Sequence, residues 1–255
     1  MRLHPGNCQH IGERNSQQDA FGFSDKDDQA FVAHGGVLVV VADGMGGMAH
    51  GGEASHLAVH AFMHSYMAKQ ADDTVPAALL NALNSANQTV VDLACQVGEE
   101  YVGTTLVAAV VHGEVLHWVS VGDSRLYLWR KDKLTQLTED HVLAIELDRD
   151  AANGLISHEQ AQDHPERPAL TSYLGLMPLD LVDQNPAPLN LLAGDNVLLC
   201  SDGLYSALEE SEMIACLGSD TQKVTENLVS LVLAKSRSEQ DNLTVAILGL
   251  EAGET

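Results

Sequence analysis

The chain has 255 residues, of which 45% are hydrophobic, so it is long enough to bury a core and too apolar for extensive disorder. Acidic residues outnumber basic ones by 36 to 13, which gives a formal net charge of −23 and argues against nucleic acid or an anionic membrane as a partner. The longest apolar runs are far too short to cross a bilayer.

The beginning of the sequence, MRLHPGNCQH, has no apolar stretch of the kind found in secretory signals. We therefore expect a cytoplasmic protein with no membrane partner. The cysteines at positions 8, 95, 200 and 216 form no C-x-x-C pair, which is typical of reduced thiols. No repeat or linker divides the chain, so residues 1–255 are predicted to form one domain, and a monomer is expected.

Apolar runs rich in β-branched residues and bounded by Gly or Asp predict a series of strands. They cover residues 36–42, 106–111, 115–121, 126–129, 196–200 and 243–250. Apolar residues at i, i+3 and i+4 spacing predict helices between them, over residues 54–66, 78–97 and 224–232. Two capping boxes are also predicted, Ser157 with Gln160 and Ser206 with Glu209.

The order of the elements indicates the fold class. Two helices lie together between Glu53 and Gly98, and three strands then follow within residues 105–130. Strands this close, joined by short turns such as 112–114, are expected to be antiparallel. The sequence therefore predicts an α+β fold in which antiparallel sheets carry helices on their outer faces.

Aspartates stand at the ends of several predicted strands. Asp43, Asp123 and Asp202 each follow an apolar strand. Asp241 precedes the last one. Because the end of one antiparallel strand lies beside the start of the next, these carboxylates are expected to converge on one edge. An isolated Asp-Gly is more often a simple turn, but like charges held close together require neutralisation by cations.

The surrounding residues indicate which cation would bind. No Cys/His spacing of the structural zinc type is present, and none of the 12 histidines belongs to an H-E-x-x-H motif, in which a glutamate base lies between the paired histidines. All-oxygen ligands favour Mg²⁺, Mn²⁺ or Ca²⁺. The glycines after Asp43 would let backbone carbonyls approach an ion or a phosphate; without that aspartate they would indicate a flexible loop.

A set of short motifs in a fixed order carries a resemblance to a known family. The motifs are Arg14…Gln18-Asp19-Ala20, Val41-Ala42-Asp43-Gly44-Met45-Gly46-Gly47, Gly103-Thr104-Thr105, Gly122-Asp123-Ser124-Arg125, Leu137-Thr138-Glu139-Asp140-His141, Ser201-Asp202-Gly203-Leu204 and Gln240-Asp241-Asn242-Leu243-Thr244. The chain resembles bacterial members of the PPM, or protein phosphatase type 2C, family over nearly its whole length. The family fold is a sandwich of two antiparallel β-sheets flanked by helices, which agrees with the fold class above.

The resemblance implies a site with two core metal ions, Mn²⁺ or Mg²⁺, and a weaker third ion. Asp43 would contact both core ions, with the Gly44 carbonyl on one of them. Asp202 and Asp241 would complete the other. Asp123, together with Asp202, would hold the third ion.

Two further residues gain roles from the resemblance. Asp19 would act close to the metals through bound water. Arg14 resembles the phosphate clamp of the family, since its planar fork can hold two phosphate oxygens at once. Without the flanking motif, Arg14 would be read as a partner in a surface salt bridge.

The implied activity is the hydrolysis of phosphoserine and phosphothreonine in proteins. A metal-bridging water or hydroxide would attack phosphorus while the metals neutralise charge. The substrates would be those of a companion Ser/Thr kinase, with no nucleic acid involved. Residues 140–175 resemble the flap of the family and its flanks.

The chain departs from the family pattern at the proposed general acid. Family members often place a histidine just after the Asp-Gly or at the end of the glycine turn, where this chain has Met45 and Met48. His50 is a candidate substitute, although a lone loop histidine is more often solvated. A neutral Gln18 stands where animal members carry a glutamate.

Two other interpretations fit parts of the sequence. Cys8 and Arg14 have the C-x-x-x-x-x-R spacing of cysteine-dependent phosphatases, in which a thiolate attacks phosphorus. No histidine precedes this cysteine and the glycine is misplaced. The second alternative is a catalytically weak pseudophosphatase or metal-binding adaptor on the same fold, against which the intact aspartates argue.

Overall fold

The computed structural model describes residues 1–45, 50–99, 101–185 and 187–252. The strands are β1 (Arg2–His10), β2 (Asp19–Phe23), β3 (Val37–Asp43), β4 (Leu106–His112), β5 (Val115–Val121), β6 (Arg125–Arg130), β7 (Lys133–Gln136), β8 (Asp183–Gln184), β9 (Leu189–Asn190), β10 (Asn196–Cys200) and β11 (Leu243–Glu251). The helices are α1 (Gln29–Gly35), α2 (Gly51–Met67), α3 (Val75–Val97), α4 (Leu143–Ala152), α5 (His158–Gln162), α6 (Asp202–Tyr205), α7 (Glu210–Ala215) and α8 (Thr221–Ala234).

The strands form two antiparallel sheets. One has the order β1-β11-β10-β6-β7, and the other has the order β2-β3-β4-β5, with the short strands β8 and β9 both paired to β5. Helices α2 and α3 pack against the second sheet, and α8 packs against the first. The predicted α+β class, with antiparallel sheets and outer helices, is therefore confirmed.

Strand β3 shows why the sequence folds in layers. Its side chains alternate between two cores: Leu38, Val40 and Ala42 pack toward α2 and α3. Val37 and Val39, with Val41, pack against the other sheet. A strand that buries both faces reads as a continuous apolar run, and this explains why β3 was predictable from sequence.

A third core lies on the outer face of the first sheet. Val245 and Ile247 of β11 pack with Leu228 and Val232 of α8, while Ala246 of β11 points into the core between the sheets. The layers therefore follow in the order helix, sheet, sheet, helix. Within the described residues, no helix combines the length and the apolarity needed to span a membrane.

Most of the predicted elements are present. The six predicted strands correspond to β3, β4, β5, β6, β10 and β11, and the three predicted helices to α2, α3 and α8. Strands β1, β2 and β7 and the two-residue strands β8 and β9 were not predicted. Strand β1 pairs with β11 through all its residues, from Arg2 opposite Glu251 to His10 opposite Leu243, although its sequence contains a proline, a glycine and mostly polar residues.

Two details of the prediction were wrong. Strands β4 and β5 pair as expected, but β6 belongs to the other sheet, so the segment between β5 and β6 crosses from sheet to sheet. The capping box predicted at Ser206 is instead formed by Glu209 and Glu212 at α7, because Ser206 ends the preceding helix α6. The capping box of Ser157 is confirmed.

Candidate active site

A cavity of about 290 Å³ opens at the end of the sandwich where the strand-end aspartates lie. Its lining residues are Asp43, Met45, Thr105, Asp123, Pro168, Ala169, Leu170, Asp202 and Asp241. The four aspartates come from both sheets and from the crossing between them, so they converge between the sheets and not on the edge of one. A larger cavity of about 520 Å³ has Asp27 as the one carboxylate in its described lining, and its chemistry does not suggest a cation site.

Asp43 and Asp19 are direct cross-strand partners at the ends of β3 and β2. The backbone of Asp43 is held by Thr105, the residue before β4, since the Asp43 N–H donates to Thr105 Oγ1 at 3.0 Å and its carbonyl accepts from Thr105 N at 2.9 Å. Asp19 is fully buried, and its Oδ2 accepts hydrogen bonds from Ser201 Oγ at 2.8 Å and Thr244 Oγ1 at 2.7 Å. These contacts fix the backbone of Asp43 and the carboxyl group of Asp19, which lies behind the cavity lining.

Gly44 continues the backbone of β3 under the cavity. Its N–H donates to the Gln18 carbonyl at 3.0 Å. A β-carbon at this position would lie 2.2 Å from the Gly51 carbonyl oxygen, so only glycine lets the start of α2 approach this closely. The close packing fixes the Gly44 backbone against the start of α2.

Asp123 is held by a network that the motifs did not reveal. The Tyr205 hydroxyl lies 3.1 Å from Asp123 Oδ2 and 3.0 Å from the Asp123 carbonyl oxygen. The Arg125 guanidinium stacks 3.5 Å from the centre of the Tyr205 ring and donates to Asp140 from Nε and Nη2. A bidentate pair and a cation–π contact therefore orient the phenol that holds Asp123.

His141 connects the turn of Asp123 to the segment that borders the cavity. Its Nδ1 accepts a hydrogen bond from Gly122 N at 3.1 Å, and its carbonyl accepts from Thr171 N at 2.8 Å. Burial lowers the pKa of this imidazole, which keeps it neutral and suited to accept. Gly122 has a φ of +96°, a conformation that favours glycine.

Asp241 lies at the rim of the cavity and is paired with Arg14. The distance between Arg14 Nη2 and Asp241 Oδ2 is 2.7 Å, and the Arg14 side chain is 50% exposed. Asp202 stands at the first position of α6, and its Oδ1 is buried without a hydrogen-bond partner among the described residues. The cavity thus combines a partly exposed ion pair with an unsatisfied buried carboxylate.

The electrostatics of the cavity disfavour ionised carboxylates. Burial raises the pKa of Asp43 well above its ordinary value, and repulsion from the four neighbouring aspartates raises it further. The pKa of Asp202 is raised to about 7, mainly by burial and next by repulsion from Asp123 and Asp241. Asp19 and Asp123 shift upward for the same first reason, burial. Cations in the cavity would remove this penalty.

The donor set fits hard divalent cations. The cavity offers carboxylate oxygens from four chain segments, and Oδ1 of Asp19 and Asp202 are buried without partners among the described residues. Oxygen ligands of this kind suit Mg²⁺ and Mn²⁺. Among the described residues, no three carboxylate, imidazole or thiolate side chains are already grouped around one point as ligands. The cavity suits cations because its aspartates share one cavity, carry negative charge and leave buried oxygens without partners.

The other residues singled out in the sequence lie in several different places. His50 precedes α2, and its Nδ1 is 2.9 Å from Glu53 Oε2 on the surface. Met45 lines the cavity, and Met48 lies outside the described residues. Cys8 lies within β1, and burial raises the pKa of its thiol, which is the opposite of what a nucleophilic thiolate requires.

Several supporting residues were missed by the sequence analysis. Ser201, Thr244 and His141 stand inside the quoted motifs, so their polar side chains beside the aspartates were a usable signal. Tyr205 carried no such signal, because a tyrosine one turn into a helix is an ordinary core residue. The loop residues Pro168–Leu170 lie within the predicted flap.

Comparisons with known proteins agree on one family. The profile of the protein phosphatase 2C family matches residues 8–238. The chain is 34% identical over 252 residues to "Serine/threonine phosphatase stp" of Listeria innocua, covering 97% of this chain and 94% of the relative. The serine/threonine phosphatase PstP/Ppp of Mycobacterium tuberculosis superposes with a TM-score of 0.78 at 29% identity, over 98% of this chain and 99% of that one.

A further solved structure contains metal. The catalytic domain of the serine threonine protein phosphatase PstP in complex with 2 manganese ions superposes with a TM-score of 0.75 at 27% identity. The superposition covers 98% of this chain and 99% of that domain.

Proposed function

The chain belongs to the protein phosphatase 2C family, and we propose that it is a metal-dependent phosphatase that hydrolyses phosphoserine and phosphothreonine in proteins. The observation that carries the proposal is the cavity in which Asp43, Asp123, Asp202 and Asp241 meet. Buried carboxylates that repel one another destabilise a fold unless a bound cation neutralises their charge. Divalent cations are the ligands that these oxygens suit.

We assign the cations to the aspartates by position in the cavity. Asp43 would be the central ligand, supported by the Gly44 carbonyl, with Asp202 and Asp241 completing a site for two Mn²⁺ or Mg²⁺ ions. When bound, such ions lower the pKa of water and neutralise charge on a phosphoryl group. The charge of Asp123 is close enough to Asp202 to help raise the pKa of Asp202. This proximity supports a weaker third ion between the two carboxylates.

Asp19 supports this arrangement from behind the cavity. Two hydroxyl groups, from Ser201 and Thr244, donate to its Oδ2, and its Oδ1 has no partner among the described residues. The free oxygen is available to hold a water molecule beside Asp43, which is the role we propose for it. A neutral Gln18 next to it adds no charge to the site.

Arg14 is placed to hold the phosphate of the substrate. Its guanidinium already lies at the rim of the cavity, paired with Asp241 at 2.7 Å. A planar fork that binds one carboxylate can bind two phosphate oxygens in the same way. Because Asp241 is also a proposed metal ligand, cation binding to Asp241 would release Arg14 for the phosphate.

The proton donor for the leaving group is left unassigned. No histidine belongs to the lining of the cavity in the described residues. His50 is hydrogen-bonded to Glu53 on the surface, and nothing in the geometry favours it as the acid. The substrates we propose are phosphoproteins, among them those of a companion Ser/Thr kinase, admitted past Pro168–Leu170.

The test compares Asp43→Asn with the parent on p-nitrophenyl phosphate and on a phosphothreonine peptide. The parent should hydrolyse both with Mn²⁺ and neither in EDTA. Asp43→Asn should lower kcat/KM at least about 100-fold, equivalent to about 2.7 kcal/mol. Asp132→Asn, which removes the same charge from an exposed turn, should leave the rate unchanged.

The outcomes separate the alternatives. Equal rates for Asp43→Asn and the parent would overturn the metal mechanism. Manganese binding by the parent with no hydrolysis of either substrate would identify a pseudophosphatase or metal-binding adaptor.

A further inference from the structure

Helix α2 carries three histidines on one exposed face. His56, His60 and His64 recur at every fourth position, and all three are exposed. Residues four apart lie one above the other on a helix surface. The spacing therefore lines the three imidazoles up along the solvent side of α2, opposite the face that Ala54, Ala58 and Phe62 bury among apolar neighbours.

Two of the three rings are neighbours in parallel planes. The rings of His60 and His64 are stacked in parallel, with 6.4 Å between their centres. The His56 ring is oriented by its Nδ1, which lies 2.7 Å from the Gly52 carbonyl oxygen. His60 stands between the other two, so it can pair with either neighbour one turn away.

The pattern differs from that of two other histidines. The exposed His50 is paired with Glu53, and the half-buried His34 contacts the carbonyl oxygens of Ala30 and Lys69. These contacts give each of them an ordinary structural role. His60 and His64, in contrast, each have the parallel ring of the other as a neighbour.

The chemistry of two imidazoles one helical turn apart is that of a chelate. Imidazole nitrogen binds Zn²⁺, Ni²⁺ and Cu²⁺, whereas Mg²⁺ and Mn²⁺ prefer oxygen ligands. A helix that presents two histidines four residues apart can turn one nitrogen of each ring toward the same ion. Here the side chains of His60 and His64 would rotate out of their parallel arrangement to do so. No third His, Cys, Asp or Glu of the described residues joins them as a group, so water would fill the remaining positions.

We propose that His60 and His64 form a two-imidazole site for Zn²⁺, Ni²⁺ or Cu²⁺, separate from the aspartate cavity. His60 lies nine residues beyond Gly51, about 14 Å along the helix from its start beside Gly44. The two sites differ in ligand type as well as position. Their occupants therefore need not compete, and the proposal does not depend on the phosphatase activity.

The test is a calorimetric titration of Ni²⁺ into the full chain with excess Mg²⁺ present to occupy carboxylate sites. The parent should bind about one equivalent. His60→Gln and His64→Gln should each weaken Ni²⁺ binding by about tenfold or more, because a chelate becomes a single contact. His60→Gln should have the larger effect, since it also removes the pairing with His56.

The control is His158→Gln, an exposed histidine of α5 with no histidine one turn away. It should bind Ni²⁺ as the parent does. Circular dichroism should show the same fold for all variants, because the replaced side chains are exposed. Equal Ni²⁺ affinity of the parent and the His60→Gln/His64→Gln double variant would overturn the proposal, as would binding that survives in the double variant and disappears in Asp43→Asn.

Discussion

The cavity aspartates repel one another when no cation neutralises them, and Asp202→Asn measures that repulsion. Burial and the charges of Asp123 and Asp241 raise the pKa of Asp202 to about 7. We predict that Asp202→Asn makes the metal-free protein more stable at neutral pH. The amide removes a negative charge that the fold holds unfavourably, and it keeps nearly the same shape.

The sign and size follow from proton binding. Between the unfolded pKa of about 3.9 and the folded value of about 7, the folded protein binds the Asp202 proton and the unfolded chain does not. The free energy of unfolding therefore falls as pH rises through this window. Three pKa units correspond to a destabilisation on the order of 4 kcal/mol. It is absent below about pH 4, where Asp202 is protonated in both states, and it is complete above about pH 7.

The assay is urea unfolding in EDTA, followed by the fluorescence of the buried Trp118 and Trp129. At about pH 7.5, the free energy of unfolding of Asp202→Asn should exceed that of the parent by a few kcal/mol. The difference should shrink toward about pH 4. Added Mn²⁺ should stabilise the parent more than the variant. Asp132→Asn, an exposed control, should show neither effect.

One result would refute the reasoning directly. If Asp202→Asn were less stable than the parent in EDTA at neutral pH, the carboxylate would be held favourably and the repulsion argument would be wrong. A difference that does not vary with pH would point to lost packing.

Three further predictions concern Tyr205, Arg14 and Cys8. Tyr205→Phe leaves the buried Asp123 without its hydroxyl partner and should lower the free energy of unfolding by about 1–3 kcal/mol in urea titrations; no change would mean the contact adds nothing. Arg14→Lys keeps a charge that can pair with Asp241 but loses the fork, so steady-state kinetics on p-nitrophenyl phosphate should show KM raised about tenfold with a smaller change in kcat. An unchanged KM would mean that Arg14 only forms a surface ion pair and does not bind the phosphate. Cys8→Ser should retain the parental kcat/KM, because burial raises the pKa of this thiol, and an inactive but folded variant would restore the cysteine mechanism.

The predictability of each strand depended on how many of its faces are buried. Strands β3 and β4 bury nearly every side chain, and their apolar runs were readable. Strand β1 lies at the edge of its sheet, and its residues are mostly half-buried or exposed. Its position is determined by pairing with β11, which no local pattern in the sequence expresses.

The crossing between β5 and β6 shows a second limit. A short connection predicted a hairpin, yet Gly122 adopts a φ of +96° and sends the chain into the other sheet. Burial on both faces makes the two strands look alike in sequence, so the sheet to which each belongs cannot be read from composition. The crossing matters because it carries Asp123 between the sheets, next to Asp202.

The position of the candidate site was predictable, but its energetics were not. Asp43 and Asp202 stand at the ends of buried strands, and that placement alone indicated an aspartate cluster. Whether a cluster repels, pairs or binds depends on distances between segments far apart in the chain. Asp19 illustrates this: it begins β2, a strand that was not predicted, yet lies directly opposite Asp43 and is fully buried. The upward pKa shifts arise from that burial and from proximity, and they are the physical reason for assigning cations to this cavity.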